Sequence, residues 1–183
     1  TRSLCDWSSD VCSSDLQVLD AKGEKTLATC VNYACHPEVL NCHALSADFP
    51  SWLYKSVEET LGGVCLYLNG AQGGMVTADF DEETLPKGEN FKATEALGNA
   101  LAKRTLEILK EAPLVTEAPI HTQRSIFQVP LENAMFKTLI KLKVFPDELR
   151  KGENIETEVN RITIGEAEFL TLPGEVLPNI GFM

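Results

Sequence analysis

Apolar positions in this chain fall into short blocks separated by polar, glycine- or proline-bearing breaks. Thr26 to Ala34 (TLATCVNYA) is apolar and rich in β-forming residues, and it reads as a buried strand. It runs into Cys35-His36-Pro37, where the proline stops regular pairing. Asp48-Phe49-Pro50 opens an amphipathic stretch that continues to Leu61. Asp48 is placed to cap this helix. Pro50 falls near the first turn, where a missing N–H costs nothing, and Gly62-Gly63 ends the run. Val64 to Leu68 reads as a second short buried strand, which empties into Asn69-Gly70-Ala71-Gln72-Gly73-Gly74.

Beyond a charged loop over 79–90, Phe91 to Glu111 is the longest expected helix, with Leu97, Leu101, Leu106 and Leu109 near one face. Pro113 and Pro119 frame its exit. Ile120 to Leu131 reads as a strand and Glu132 to Val144 as a basic helix. Val159–Ile164 and Glu168–Leu172 form a strand pair around a turn at Gly165, followed by Pro173-Gly174-Glu175. Strands and helices alternate, which implies an α/β fold: a mixed β-sheet with packed helices in layers. No internal repeat or heptad pattern is present.

Residues 6–16 (DWSSDVCSSDL) stand apart. They translate one reading frame of a common sequencing-library adapter codon by codon, so residues 1–16 are read as a non-native, adapter-derived segment and 17–183 as the protein proper. The segment is expected to pack on nothing. Removing it takes away Arg2, Asp6, Asp10 and Asp15, one positive and three negative charges, and moves the net charge from −11 to −9. Either value argues against a nucleic-acid partner, because no basic patch is present to displace counterions. No apolar run approaches the roughly 20 residues of a transmembrane segment. Four cysteines remain, Cys30, Cys35, Cys42 and Cys65. They form no CxxC pair and read as reduced, buried thiols.

Three loops follow three of the expected strands: one at His36, the glycine loop at 69–77, and one at Glu175. Sites in layered α/β folds collect where strands end and loops converge. These loops supply an imidazole, a run of bare backbone N–H groups and a carboxylate, the inventory of a hydrolytic zinc centre with an anion-stabilising loop. Taken singly, each has a plainer reading: a half-buried structural histidine, a Gly-Gly turn and a Pro-Gly-Glu turn. Cys35-His36 with Cys42-His43 also forms a candidate Cys₂His₂ structural site, though not with the spacing of a known finger. His43 otherwise reads as a loop residue near the site, His121 as a structural residue opening a strand, and the Lys137–Lys151 cluster as a solvated face.

The runs VNYACHPEVL, LSADFPSWL, VCLYLNGAQGG and ITIGEAEFLTLPGEV, in that order and spacing, resemble the N-terminal catalytic domain of the neutral/alkaline non-lysosomal ceramidases. The resemblance spans residues 17–183 and marks them as an internal fragment of such a domain. It implies a zinc-dependent hydrolase whose substrate is a small-molecule or lipid amide of the N-acyl class. In that family two histidines, a glutamate and a tyrosine hold Zn²⁺. His36 and Glu175 match two of these metal ligands, while the other histidine lies earlier and the tyrosine beyond Met183. The same resemblance gives Gly73, Gly74 and Thr77 catalytic roles in the glycine loop. One departure is clear. Where the family's loop continues to a serine, this chain reads Gly73-Gly74-Met75-Val76-Thr77, which places Val76 or, with a one-residue shift, Thr77 at the serine position. A second reading therefore stands beside the first: a non-catalytic relative that binds a lipid or carbohydrate surface. The residues leave the compartment open, and a secreted or periplasmic setting agrees with the resemblance.

Overall fold

The computed structural model describes residues 15–40, 45–74, 90–144, 150–151, 154–177 and 180. The chain divides into two compact units, Thr1–Leu114 with Glu175–Met183, and Val115–Gly174. Both belong to an α/β chain, whose described residues include three helices and two small sheets.

The first unit is built on strands β1 (Leu16–Leu19), β2 (Thr26–Tyr33) and β3 (Val64–Asn69), in that spatial order. β1 runs antiparallel to β2, and β2 runs parallel to β3. The parallel pair needs a crossover, which helix α1 (Phe49–Leu61) supplies. Thr29, Val31 and Tyr33 on one face of β2 are buried, and the alternation carries on to Cys35. Phe49, Leu53 and Val57, spaced four apart on α1, complete the core with Cys65 of β3. Tyr33 and Tyr67 both meet the Phe49 ring edge-on, at centroid distances of 6.1 and 5.5 Å. Helix α2 (Asn90–Glu111) packs on α1 and adds Ala93, Leu101 and Ala102 to the core.

The second unit is antiparallel throughout. β4 (Ile120–Pro130) pairs with β6 (Asn154–Ile164) along its whole length. β6 also pairs with β5 (Arg150–Lys151) and β7 (Ala167–Thr171). The β6–β7 turn places Gly165 at φ 59°, a left-handed conformation that glycine adopts without strain. Helix α3 (Ala134–Lys141) begins at Asn133, whose side-chain oxygen accepts from the N–H groups of Met135 and Phe136.

The elements differ from the sequence expectations in specific ways. The mixed sheet is confined to the first unit, and the later strands form a sheet of their own. β2 and β3 are buried on one face only: Val64 is 56% exposed and Leu66 and Leu68 are exposed with it. Hydrophobicity alone could not tell a strand buried on one face from one buried on both. The expected α2 leucines line the core side, Leu101 buried and Leu97 packed against the core, but small residues share that stripe: Ala93, Thr94, Ala102 and Thr105 are buried beside them. The reason is close helix approach at Gly98, where a Cβ would lie 2.4 Å from the Phe49 carbonyl oxygen and 2.5 Å from Trp52 Cβ. The basic helix is shorter than 132–144 because Asn133 caps it. Residues 1–16 do not lie wholly apart: Leu16 pairs with Cys30 in β1, and Asp15 is packed near Thr105.

Candidate functional site

The first unit carries the site. β2 ends at Tyr33, and the chain tightens at once, with the Cys35 N–H donating to the Tyr33 carbonyl at 3.1 Å. The Tyr67 hydroxyl lies 2.6 Å from the Cys35 carbonyl oxygen and 3.0 Å from that of Tyr33. A strand's period of two puts Tyr67 on the same face as buried Cys65, which aims the phenol at the end of β2. Burial pushes the Tyr67 phenol well above its ordinary value, so it stays protonated as the donor these carbonyls need. This turn delivers His36, whose side chain is 15% exposed.

Beyond His36 the loop is tied down by Asp48. Its carboxylate accepts from the Leu40 N–H at 2.7 Å and from the Phe49 N–H at 2.7 Å. Asp48 is therefore the α1 cap that its position implied, and it holds the far side of the His36 loop as well. The cap sits at φ 56°, a conformation that carries a steric cost for any residue with a Cβ, offset here by these two charge-assisted hydrogen bonds.

Glu175 begins the stretch that returns to the first unit after β7. Its Oε1 lies 3.2 Å from His36 Nε2, although the two residues come from opposite ends of the chain, and its side chain is 66% exposed. The pair thus opens toward solvent. The glycine loop touches both partners' segments. Gly70 N–H donates to the Tyr33 carbonyl at 3.1 Å, and Gly73 N–H donates to the Val176 carbonyl at 2.9 Å. The Gly73 N–H is thus engaged by the Val176 carbonyl. Sequence reasoning assigned the loop to anion stabilisation and missed its grip on the Glu175 segment, since that contact joins distant parts of the chain. The Tyr67 hydroxyl was missed too, although strand alternation from Cys65 could have found it.

Gly74 closes the described part of the loop, and Val76, Thr77, Cys42 and His43 lie outside the described residues. His121 is exposed on β4 opposite Thr163, in the other unit. Lys137, Lys141 and Lys143 are exposed. Cys30, Cys35 and Cys65 are free thiols. Burial pushes Cys35 up to about 11, with the Asp48 charge adding to it, and pushes Cys65 up to about 12. Both stay neutral near pH 7 and serve the core. Among the described residues no third His, Cys, Asp or Glu joins His36 and Glu175 in a group able to hold a metal.

In the first unit the end of β2 and the segment after β7 bring an imidazole and a carboxylate together within an α/β layer. The particular likeness is to a solved structure described as "Ceramidase complexed with C2", with a TM-score of 0.66 and 14% identity over 96% of this chain. The chain spans 38% of that structure's length. The fold is thus ceramidase-like. No protein-family model and no curated protein sequence matches the chain.

Proposed function

We propose that this chain is part of a zinc-dependent hydrolase of N-acyl amides, ceramidase-like in class, with His36 and Glu175 as two of its metal ligands. One observation carries the reading: the 3.2 Å approach of His36 Nε2 and Glu175 Oε1. Two ligand atoms bound at about 2.0–2.2 Å to one tetrahedral ion stand about 3.3–3.6 Å apart, just beyond the observed approach. The donor set, one imidazole nitrogen and one carboxylate oxygen, also suits zinc. The remaining ligands come, on this reading, from chain outside residues 17–183, in line with the resemblance.

Zinc held there would polarise the scissile carbonyl and lower the pKa of a bound water toward about 7. The chain's own residues do the rest. His36 and Glu175 hold and orient the centre. The exposed side of Glu175 leaves room for an amide to approach. Donation to a developing oxyanion passes from Gly73, whose N–H is engaged, to Gly74 and Thr77. Val76 or, with a one-residue shift, Thr77 stands at the family's serine position, so the acyl chain and amine of the substrate need not be those of ceramide.

The test compares the intact protein with His36→Ala and Glu175→Ala on N-acyl amides of several chain lengths, with and without chelator. Hydrolysis by wild type, abolished by chelator and by either substitution, is the expected result. Residues 17–183 alone, with two ligands, are expected to be inactive. Full activity in either variant means that residue is not a ligand. An intact wild type inert on every amide favours the lipid- or carbohydrate-binding reading.

A further inference from the structure

We propose that the end of β3 and the glycine loop after it form one positioning element that fixes the separation of His36 and Glu175, with Tyr67 and Gly73 as its positioning residues. The inference rests on the reading of His36 and Glu175 as ligands of one metal. Four contacts from three donor groups build the element. The Tyr67 hydroxyl reaches the Tyr33 and Cys35 carbonyls just before His36, and the Gly70 N–H donates to the Tyr33 carbonyl as well. On the other side, the Gly73 N–H donates to the Val176 carbonyl, one residue past Glu175. One short stretch, Tyr67 to Gly73, therefore grips the backbone on both sides of the pair.

The glycines are there for space rather than for turn conformation. Neither Gly70 nor Gly73 is among the glycines with positive φ. A Cβ on Gly73 would sit 2.9 Å from the Glu175 carbonyl oxygen and 3.0 Å from the Val176 carbonyl carbon and oxygen. A Cβ on Gly70 would sit 3.1 Å from Ala34 Cβ. The atoms opposing Gly73 are all backbone, so no side-chain rotation relieves the clash. The Glu175 segment would have to retreat by about half an ångström to reach the 3.4 Å of ordinary contact. Metal-ligand distances hold within about 0.2 Å, so such a retreat reaches the metal.

The experiment measures zinc affinity of the intact protein by competition with a chromophoric chelator, together with the visible absorption of its cobalt(II)-substituted form. The proteins are wild type, Gly73→Ala, Tyr67→Phe and, as control, Gly165→Ala. The control strains a turn in the other unit, where Gly165 has φ 59° and a Cβ would meet Ala118 at 3.3 Å. Gly73→Ala and Tyr67→Phe are each expected to bind zinc about 10- to 100-fold more weakly and to shift the cobalt band. Gly165→Ala is expected to lower the thermal midpoint without changing either reading. If Gly73→Ala does not fold, Tyr67→Phe, which keeps the ring packed on Phe49, decides alone. Wild-type affinity and spectrum in the folded variants would overturn the positioning role while leaving the metal reading intact. Equal weakening by Gly165→Ala would overturn it by showing general destabilisation. A wild type that holds no zinc removes the metal reading, and this inference with it.

Discussion

The Asp15 carboxyl packs beside Thr105 of α2 and the Asn32 backbone, but among the described residues neither of its oxygens nor the Thr105 hydroxyl makes a well-formed hydrogen bond. Burial raises its pKa, outweighing Thr105, the Asn32 amide and Arg104, which lower it. A carboxyl whose folded pKa is raised binds its proton more tightly in the folded chain than in the unfolded one. Its contribution to stability is then fully present below the unfolded carboxylate range and is lost as pH rises through the folded value. On the reading that residues 1–16 translate an adapter, nothing selected this carboxylate for its environment. Asp15→Ala is expected to stabilise the chain by about 1–3 kcal/mol near pH 7. The advantage should shrink as pH falls to about 4. Urea unfolding at several pH values checks this; a variant less stable than wild type at pH 7 would contradict it. At this scale the sequence revealed Asp48 as a cap and the cysteines as thiols, since both follow from local context. It could not reveal that Gly73 lies against Glu175, because that contact depends on how distant segments meet.

Among the elements, α1 and α2 meet at Gly98, closer than any side chain allows. Gly98→Ala gains about 1 kcal/mol of helix propensity. Against this stands overpacking onto the Phe49 carbonyl and the Leu53 amide, backbone that cannot rotate away, which costs about 1–3 kcal/mol. The net effect is expected to be destabilising, with the denaturation midpoint lowered and its slope unchanged; an unchanged or raised midpoint would show that the helices separate freely. Helices and strands with strong internal signals were legible. Asp48 with Gly62 bounded α1, and the Gly165 turn separated β6 from β7. Short β1 and β5 were not, and neither was the first half of β6, where Asn154 to Glu158 mixes polar and apolar residues without a clean alternation. These strands exist because a neighbour pairs with them, which no local pattern records.

For the molecule as a whole, the two units differ in how they are held. Every buried core hydrophobic among the described residues belongs to the first unit. In the second, β4 is exposed along its whole length, and cross-strand pairs such as Arg161 with Glu168 and Arg124 with Glu158 lie at the surface. Such pairs contribute little in water. Amide hydrogen exchange is expected to be slowest in β2, β3 and α1 and faster in β4, β6 and β7, as low burial allows local opening. Uniform protection across both units would contradict that ordering. The first unit also carries the central claim, that His36 and Glu175 bind one zinc ion in a ceramidase-like fold. The most direct test is the zinc content of the purified intact protein and of its His36→Ala and Glu175→Ala variants, each confirmed as folded by circular dichroism. About one zinc per wild-type chain, with strongly reduced content in both variants, is the expected result. Unchanged zinc in either folded variant would contradict the claim.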